Sequence, residues 1–236
     1  MPKFFAMKLD FKPIGLDKQN EYLELLGKCP QVASDYSFLN LWGWAEDYGL
    51  TWAWEENIVW IRQTRPETCL WAPVGAWNLI DWQSRFAAQT DSGMKFIRVP
   101  EKLAEHWREA LGTWRDCESS EVLSAENKAI SRILRDWEHL DGTMGGAIMV
   151  DGKMAAYTVA EGLTSDTVVI HFEKGDTQYK GIYQAVNQMF LAHGADNFTL
   201  VNREQDLNDE GLRKAKLSYH PVKFLRKYSV TLAGLI

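Results

Sequence analysis

The sequence predicts an α+β fold in which mixed sheets are flanked by helices. Two observations support this class. Between residues 50 and 75, short runs of aromatic and β-branched residues alternate with polar turns, which is typical of an antiparallel meander. After residue 123 the pattern runs helix, hairpin, strand, helix, strand, helix, strand, which describes a mixed sheet with helices packed against it.

The first half opens on two amphipathic helices. Residues 17–27, DKQNEYLELLG, form the first, with Asp17 as the expected N-cap, and Ser34 or Asp35 is expected to cap the second. The strands LTWAWEE, NIVWIRQT and TCLWAPVG follow, then the helix WNLIDWQSRFAAQT, the strand KFIRVP and the helix EKLAEHWREALG. All 11 Trp lie between Trp42 and Trp137, and their strand spacing favours a core over a sugar-binding platform.

The second half has clearer element boundaries. Its first helix, SAENKAISRILRDWEHL, has Ser124 as the expected N-cap, and its expected buried stripe comprises Ala129, Ile130, Ile133, Leu134 and Trp137. A hairpin is predicted across Asp151-Gly152. The strand DTVVIHFEKG, the helix YKGIYQAVNQMFLAHG, the strand NFTLVNRE, the helix GLRKAKLSY and the strand FLRKYSVTL complete the predicted second sheet.

Composition narrows the functional classes. The chain has 236 residues, a formal net charge of −6, and no apolar run long enough to span a membrane. The start, MPKFFAMKLDF, lacks the features of a signal peptide, so a cytoplasmic location is expected. Cys29, Cys69 and Cys117 are widely spaced, which favours reduced thiols and predicts no metal site.

Positive charge is concentrated at the C-terminal end of the sequence. From Gly211 onward there is no Asp or Glu, while six cations occur: Arg213, Lys214, Lys216, Lys223, Arg226 and Lys227. This asymmetry favours a local anion-binding surface on a protein that does not bind nucleic acid in general.

Residues 201–221, VNREQDLNDEGLRKAKLSYHP, hold most of the candidate chemistry. Asn202, Arg203, Glu204 and Asp206 follow a predicted strand, where side chains commonly line a crevice. On the next helix, Leu212, Ala215 and Tyr219 form an expected buried strip beside a basic strip of Arg213, Lys216 and His220. The basic strip either binds phosphates or neutralises Glu204 and Asp206, and composition does not choose between these.

A second candidate site lies in residues 171–188, HFEKGDTQYKGIYQAVNQ. A strand runs into Glu173 and Lys174, and Tyr179-Lys180-Gly181 then opens a helix whose N-terminus suits a phosphate or carboxylate. The spacing is neither a P-loop nor a dinucleotide-binding fingerprint. An ordinary strand-to-helix loop remains the alternative. No GxSxG elbow occurs, and His171 is more typical of a structural histidine than of a catalytic one.

The order GGAIMVDGKMAAYTVAE, IHFEKGDTQYKGIYQAVNQMF, VNREQDLNDEGLRKAKLSYHP and KYSV resembles a family of bacterial proteins related to the C-terminal domain of phosphatidylglycerol lysyltransferase. ASDYSFLNLWGW and LWAPVG are similar to its N-terminal markers. The resemblance implies two tandem GNAT-like (acyl-CoA N-acyltransferase-like) units, residues 1–112 and residues 113–236. It departs from the family after Gly112, where a segment with aromatic and basic motifs is missing, so the first unit is expected to be incomplete.

The resemblance also implies a function and a set of site residues. The donor would be an aminoacyl-tRNA or an acyl-CoA, with no other cofactor required, and the acceptor an amine or a lipid hydroxyl reached by peripheral membrane contact. The donor loop maps to Tyr179, Lys180, Gly181 and Ile182. Glu173, Glu204 or Asp206 would take the proton, with Glu173 favoured because it sits at the strand end facing the donor loop. The implied substrate-binding residues are Lys174, Asn202, Arg203, Arg213, Lys214 and Lys216.

Two other interpretations of the chain stay open. One is a non-catalytic binding module that retains the transferase fold and senses an acyl carrier, a nucleotide or tRNA. The other is a structural partner protein that uses its Trp-rich half as an interface. Steep salt dependence of tRNA binding would favour the first of these two, and a stable oligomer would favour the second.

Overall fold

The computed structural model describes residues 9–87, 94–111, 123–206 and 209–231, and within them it has the expected α+β class. The helices are α1 (Gln19–Leu26), α2 (Phe38–Tyr48), α3 (Trp82–Ala87), α4 (Glu101–Leu111), α5 (Leu123–Arg135), α6 (Ile182–His193) and α7 (Glu210–Leu217). The strands are β1 (Lys12–Pro13), β2 (Thr51–Trp54), β3 (Ile58–Gln63), β4 (Cys69–Trp71), β5 (Val74–Gly75), β6 (Lys95–Pro100), β7 (Thr143–Val150), β8 (Lys153–Gly162), β9 (Thr167–Gly175), β10 (Leu200–Asn202) and β11 (Lys227–Thr231). The predicted boundary at Gly112 lies outside the described residues.

The first sheet has the strand order β1-β2-β3-β4-β6-β11, with β5 also paired to β3. β2, β3 and β4 form the predicted antiparallel meander, and β4 runs parallel to β6. The expectation that the last strand completes the second sheet is wrong, because β11 pairs antiparallel with β6. Val230 is fully buried there, and the short alternating pattern of this strand fits either sheet equally well.

Aromatic side chains fill the core of the first sheet. Trp60, Trp71, Trp77 and Trp107 are fully buried, which confirms the prediction that the tryptophans build a core. Their indole N–H groups need partners when buried. Trp71 donates to Gln63 at 3.0 Å, and Trp77 donates to the backbone oxygen of Pro73 at 2.7 Å, although the indole nitrogen of Trp107 has no partner within the described part of the chain.

The second sheet has the order β10-β9-β8-β7 and contains the predicted hairpin. Asp151 and Gly152 both have positive φ, 49° and 75°, as a two-residue hairpin turn requires. α6 covers one face, with Phe190 against Val168 and Ile170. The opposite face joins the first core. The two sheets therefore share buried surface.

Several helix ends differ from the predictions. Ser37 caps α2, accepting from the N–H of Asn40 at 3.2 Å, whereas Ser34 and Asp35 lie in a preceding 3-10 turn. Neither Asp17 nor Ser124 is an N-cap: Lys18 precedes α1 without a side-chain cap, and α5 already begins at Leu123.

Two predicted buried helix faces also differ from the structure. Leu134 and Trp137 are not fully buried, and Leu134 is 49% exposed. The predicted buried strip of α7, Leu212, Ala215 and Tyr219, is exposed. Arg213 and Lys216 hold α7 by polar contacts with residues 203–206.

Candidate functional site

A β-bulge in β9 sends side chains to opposite faces of the second sheet. Val159 lies opposite Phe172 and Ala160 opposite Ile170, so His171 has no residue directly opposite it. An extra residue of this kind interrupts the alternation of side chains along a strand. As a result, Phe172 packs in the first core while Ile170 packs beneath α6.

Strands β9 and β10 run parallel and then separate. Pairing extends from Thr167 opposite Leu200 to Val169 opposite Asn202. β9 continues to Gly175, and among the described strands only β8 pairs with it there. Beyond this pairing, residues 170–175 and residues 203–206 contact each other through side chains, and we call this region the β9–β10 wedge. Crevices at the carboxyl ends of parallel strands are common ligand sites.

His171 lies in a buried cluster that joins the two sheets. Its side chain is 1% exposed. Nδ1 lies 2.8 Å from Glu204 Oε1, while Nε2 lies 3.3 Å from Ser37 Oγ and 3.4 Å from Glu161 Oε1. Burial lowers the pKa of His171, but hydrogen bonds and charges from Glu161 and Glu204 outweigh this and raise it to about 9. The imidazole is therefore charged at neutral pH and sits between two carboxylates.

Glu204 has one fixed carboxylate oxygen and one open oxygen. Its backbone is left-handed, with φ 55°, which is uncommon outside Gly, and its N–H donates to Asn202 Oδ1 at 2.8 Å. Oε1 accepts from His171 and from Asn40 Nδ2 at 2.9 Å. Oε2 makes no hydrogen bond to a described residue, and the side chain is 24% exposed. A ligand in the wedge can therefore reach this oxygen.

Glu173 is fully engaged on the α6 side of the sheet. Arg203 Nη2 lies 2.7 Å from Oε2 of Glu173 and Nη1 lies 3.4 Å from Oε1. Asn187 of α6 also donates to Oε1 at 2.9 Å. The guanidinium of Arg203 lies 4.6 Å from the centre of the Tyr219 ring. Glu173 therefore positions Arg203 across the wedge, and neither of its oxygens is open.

Cations from the last part of the chain hold residues 203–206 in place. Lys216 Nζ donates to the backbone oxygens of Arg203 and Gln205, and Lys227 Nζ lies 2.9 Å from Gln205 Oε1. Burial lowers the pKa of Lys216, and the charge of Glu204 opposes this. The basic residues of this region thus bind the segment that forms one side of the wedge.

Arg213 and Asp206 form an ion pair, with Arg213 Nε 2.5 Å from Asp206 Oδ2 and Nη2 3.3 Å from Oδ1. The suggestion that a basic residue of this helix neutralises Asp206 is therefore confirmed. Lys214 on the same helix is exposed and makes no ion pair within the described ranges.

A buried carboxylate links the two halves of the chain. Asp35 is 4% exposed and pairs with Lys227 of β11 and Arg98 of β6. Burial raises the pKa of Asp35, but the charges of Lys227 and Arg98 outweigh this and hold it well below its usual range. The segment before α2 is thereby fixed to two strands of the first sheet.

The predicted donor loop lies at the N-terminus of α6, beyond the carboxyl end of β9. Gly181 has φ 82°, and no side chain caps the helix. Tyr179 and Lys180 are exposed. Ile182 is 7% exposed, packs against Gly175, and donates its N–H to the oxygen of Tyr179. Donor binding by these four residues stays a prediction, in which Ile182 contributes by packing.

The structure gathers most of the candidate residues around the wedge. The gathered set is Glu173, Asn202, Arg203, Glu204, Asp206, Arg213 and Lys216. Two predicted substrate-binding residues lie outside this set: Lys174 pairs with Glu126 of α5 at 2.5 Å, and Lys214 is exposed. No described group of His, Cys, Asp and Glu side chains is arranged to hold a metal ion. Within the same ranges, no helix is both long and apolar enough to cross a bilayer.

The sequence hypotheses missed the residues that come from other elements. These are Ser37, Asn40, Glu161 and Asn187, each of which bonds to His171, Glu204 or Glu173. Glu161 carries a signal in the sequence, because it is a charged residue in a mostly apolar strand segment, AAYTVAEG.

The fold and site define an α+β protein whose smaller sheet carries a charged wedge at the ends of two parallel strands. A family model described as phosphatidylglycerol lysyltransferase, C-terminal, matches residues 109–231. The chain belongs to this family, which confirms the resemblance noted in the sequence.

Two solved structures are similar to this chain. A conserved protein of unknown function from Bacteroides thetaiotaomicron VPI-5482 matches with a TM-score of 0.83 and 22% identity, covering 95% of this chain and 99% of the other. The C-terminal domain of a protein described as a lysylphosphatidylglycerol synthetase from Agrobacterium fabrum matches with a TM-score of 0.56 and 13% identity, covering 92% of each chain. At these identities the matches show the fold. No curated protein sequence matches the chain.

Proposed function

We propose that this chain is an acyltransferase of the aminoacyl-transfer type. It moves an aminoacyl or acyl group from an activated carrier, an aminoacyl-tRNA or an acyl-CoA, to an amine or a lipid hydroxyl. The observation that carries the proposal is the β9–β10 wedge, whose β9 segment ends at Gly175 against Ile182, the first residue of α6, inside the matched residues 109–231. In this proposal residues 1–112 and residues 113–236 are tandem GNAT-like units, with β11 of the second unit paired to the first sheet, and the wedge belongs to the second unit.

Chemically, the transfer needs a positioned donor and a proton acceptor. The acceptor oxygen or nitrogen attacks the donor carbonyl carbon, and the bond from that carbon to the carrier oxygen or sulfur then breaks. Backbone N–H groups near Lys180 and Gly181 would bind the anionic part of the donor, aided by the positive end of the α6 dipole. Arg203, held by Glu173, supplies positive charge where the carbonyl oxygen becomes negative.

The geometry favours Glu204 as the proton acceptor among the three candidate carboxylates. Both oxygens of Glu173 accept from Arg203 and Asn187, and both oxygens of Asp206 face Arg213. Glu204 alone combines an anchored Oε1 with an Oε2 that has no described partner. In the proposed reaction Oε2 takes the proton of the acceptor and passes it to the leaving group. The same oxygen also suits the ammonium group of an aminoacyl donor.

Glu204→Gln tests this assignment. It keeps the shape of the side chain but removes the base, so kcat is expected to fall by about 10²–10⁴-fold, as for the loss of a general base. Transfer of a radiolabelled group is measured with aminoacyl-tRNAs and with acyl-CoAs. Glu24→Gln, an exposed change on α1, is the matched control and retains full activity.

Lys180→Glu tests the donor loop separately. Placing a negative charge at the helix N-terminus is expected to raise KM for the donor while changing kcat little. Absence of transfer with either donor class by the parent protein would contradict the proposed function. Full activity of Glu204→Gln would contradict only the assignment of Glu204 as the proton acceptor.

The alternative function, a non-catalytic module that binds an acyl carrier, also has an observation in its favour. Glu173, Glu204 and Asp206 are each paired with a cation, and such pairing weakens a base. Donor binding with a normal affinity and no turnover would select this function. Binding is measured as a rise in melting temperature with each donor, since a ligand that binds the folded state stabilises it.

A further inference from the structure

A buried chain of charged side chains leads to Glu204. Glu161 of β8 is 4% exposed and His171 of β9 is 1% exposed, and the order of contacts is Glu161, His171, Glu204. Glu161 Oε1 lies 3.4 Å from His171 Nε2 and accepts no hydrogen bond from any other described group. Glu161 Oε2 accepts from the N–H of Leu39 at 3.3 Å. Among the described residues, His171 is therefore the one cation that pairs with this buried carboxylate.

Both ring nitrogens of His171 face carboxylates. Nδ1 lies 2.8 Å from Glu204 Oε1 on one side, and Nε2 faces Glu161 on the other. An ionised carboxylate only accepts hydrogen bonds, so the ring donates in both directions when both nitrogens carry protons. Burial opposes this charged ring, but the two carboxylates outweigh it and raise the pKa of His171 to about 9. His171 is therefore a two-sided donor that Glu161 and Glu204 share.

This sharing leaves Glu204 anchored and negatively charged. His171 and Asn40 fix Oε1 at 2.8 Å and 2.9 Å, while Oε2 accepts from no described residue. Because Glu161 takes part of the charge of His171, the imidazolium neutralises Glu204 less than it would in an isolated pair. Lys216 of α7 also acts on Glu204 by its charge, although its Nζ binds two backbone oxygens. The orientation of Glu204 thus depends on groups that are themselves held in place.

We propose that His171 and Glu161 are positioning residues for Glu204. His171 fixes Oε1 of Glu204 so that Oε2 stays open to the substrate, and Glu161 holds the ring of His171 in the orientation that places Nδ1 against Glu204. This inference rests on the proposed function, in which Oε2 takes the proton of the acceptor. Neither positioning residue touches the substrate, since their side chains are at most 4% exposed.

Ser37 gives the same cluster the composition of a serine nucleophile with its base, but the geometry excludes that role. Ser37 Oγ lies 3.3 Å from His171 Nε2. However, Ser37 is 1% exposed, and its Oγ already accepts from the N–H of Asn40 as the N-cap of α2. A charged imidazole cannot accept the serine proton, and a buried hydroxyl cannot reach a substrate carbonyl. Ser37 is therefore a helix cap that also contacts the ring.

Charge-balanced variants separate positioning from a merely structural role. His171→Gln removes the imidazole but leaves Glu161 buried without a cation, which lowers the melting temperature as well. His171→Gln/Glu161→Gln removes both charges, so much of that stability is expected to return. In both variants kcat for group transfer is expected to fall by about 10²-fold because the base is misplaced, while the donor KM stays within about twofold. Leu26→Ala, a buried change on α1, is the control that lowers the melting temperature but not kcat.

Titration of the His171 ring by NMR tests the geometry without any donor. In protein with isotope-labelled histidine, the ring signals of His171 are identified by their absence in His171→Gln. Glu161→Gln and Glu204→Gln are each expected to lower the pKa of His171 by about 1 or more, since each removes a facing carboxylate. Glu24→Gln, an exposed change on α1, is expected to leave it unchanged.

Each result has a distinct meaning. Return of kcat to the parent level in His171→Gln/Glu161→Gln shows a structural role only and overturns the proposal, as does a pKa of His171 that does not move in Glu204→Gln. Both of these outcomes leave the proposed function intact. If the parent protein transfers neither donor group, the proposed function is contradicted and the positioning role falls with it, so the two failures are distinguishable.

Discussion

The two sheets of this protein differ in the size of the apolar core packed against them. Behind the first sheet lies a continuous aromatic core, in which Trp107 contacts Trp82, Phe86 and Phe96 at ring-centre distances of 4.9–5.3 Å. The second sheet has two small apolar clusters beneath α6 and buries polar groups, among them Glu161, His171 and Asn187. The contrast indicates that the first sheet contributes most of the apolar burial, and the proposed function assigns the chemistry to the second sheet.

The largest expected effect is on the aromatic core. Trp107→Ala removes a fully buried ring and is expected to lower the free energy of unfolding by about 3–5 kcal/mol. Chemical denaturation followed by circular dichroism measures the change. Leu79→Ala, at an exposed position, is the control and should change stability by less than about 0.5 kcal/mol. If Trp107→Ala lowers the free energy of unfolding by less than about 1 kcal/mol, the expectation that this sheet supplies most of the stability is wrong.

Substitution of Asp35, which joins the two halves of the chain, should lower stability nearly as much. Asp35→Asn leaves Lys227 and Arg98 without their buried counter-charge, which is expected to cost about 3 kcal/mol. Because the folded pKa of Asp35 lies below its unfolded value, this stability is present above about pH 4 and is lost as pH falls further. The parent protein should therefore lose stability in acid more steeply than Asp35→Asn, and parallel acid curves would contradict this.

His171 is expected to give the opposite pH dependence. Its folded pKa of about 9 lies above its usual value near 6.5, so its contribution is fully present below pH 6.5 and is lost as pH rises through 9. The expected loss is on the order of 1–3 kcal/mol. Unfolding curves at pH 6 and pH 9 measure it, and His171→Gln should abolish the difference. A difference that persists in His171→Gln belongs to other groups.

The smallest effect is expected from an exposed ion pair. Lys128 lies 3.3 Å from Asp47 and its side chain is 76% exposed. Water screens such pairs, so Lys128→Ala should change the free energy of unfolding by less than about 1 kcal/mol. Thermal and chemical denaturation should agree on this, and a larger loss would show that surface charge on α5 supports the contact with α2.

Much of the fold was predictable because local patterns determine it. The hairpin at Asp151-Gly152, the extent of α6 up to Gly194 and the tryptophan core were all identified correctly. The pairing of β11 was not predicted correctly, because five alternating residues carry no information about which sheet edge is free. The exposure of Leu212 and Tyr219 was also missed, since helical spacing predicts a face but not whether anything covers it.

Of the candidate site, only the residues that lie close together in the sequence were predictable. Strand-end residues such as Arg203 and Glu204 were identified because their position after an apolar strand is visible in the sequence. Their partners Asn40 and His171 are 164 and 33 residues away from Glu204 along the chain, and a β-bulge at His171 sets the geometry. Neither long-range pairing nor a bulge has a local signature here.

The position of β11 has a consequence for how the chain folds. β6 lacks its partner on one edge until residues 227–231 have left the ribosome, so the first sheet is completed last although most of it is synthesised first. Contacts between such distant parts of a chain slow folding and leave a strand edge exposed to association in the meantime. In the nascent protein, the large aromatic sheet is therefore the last part to complete its strand pairing.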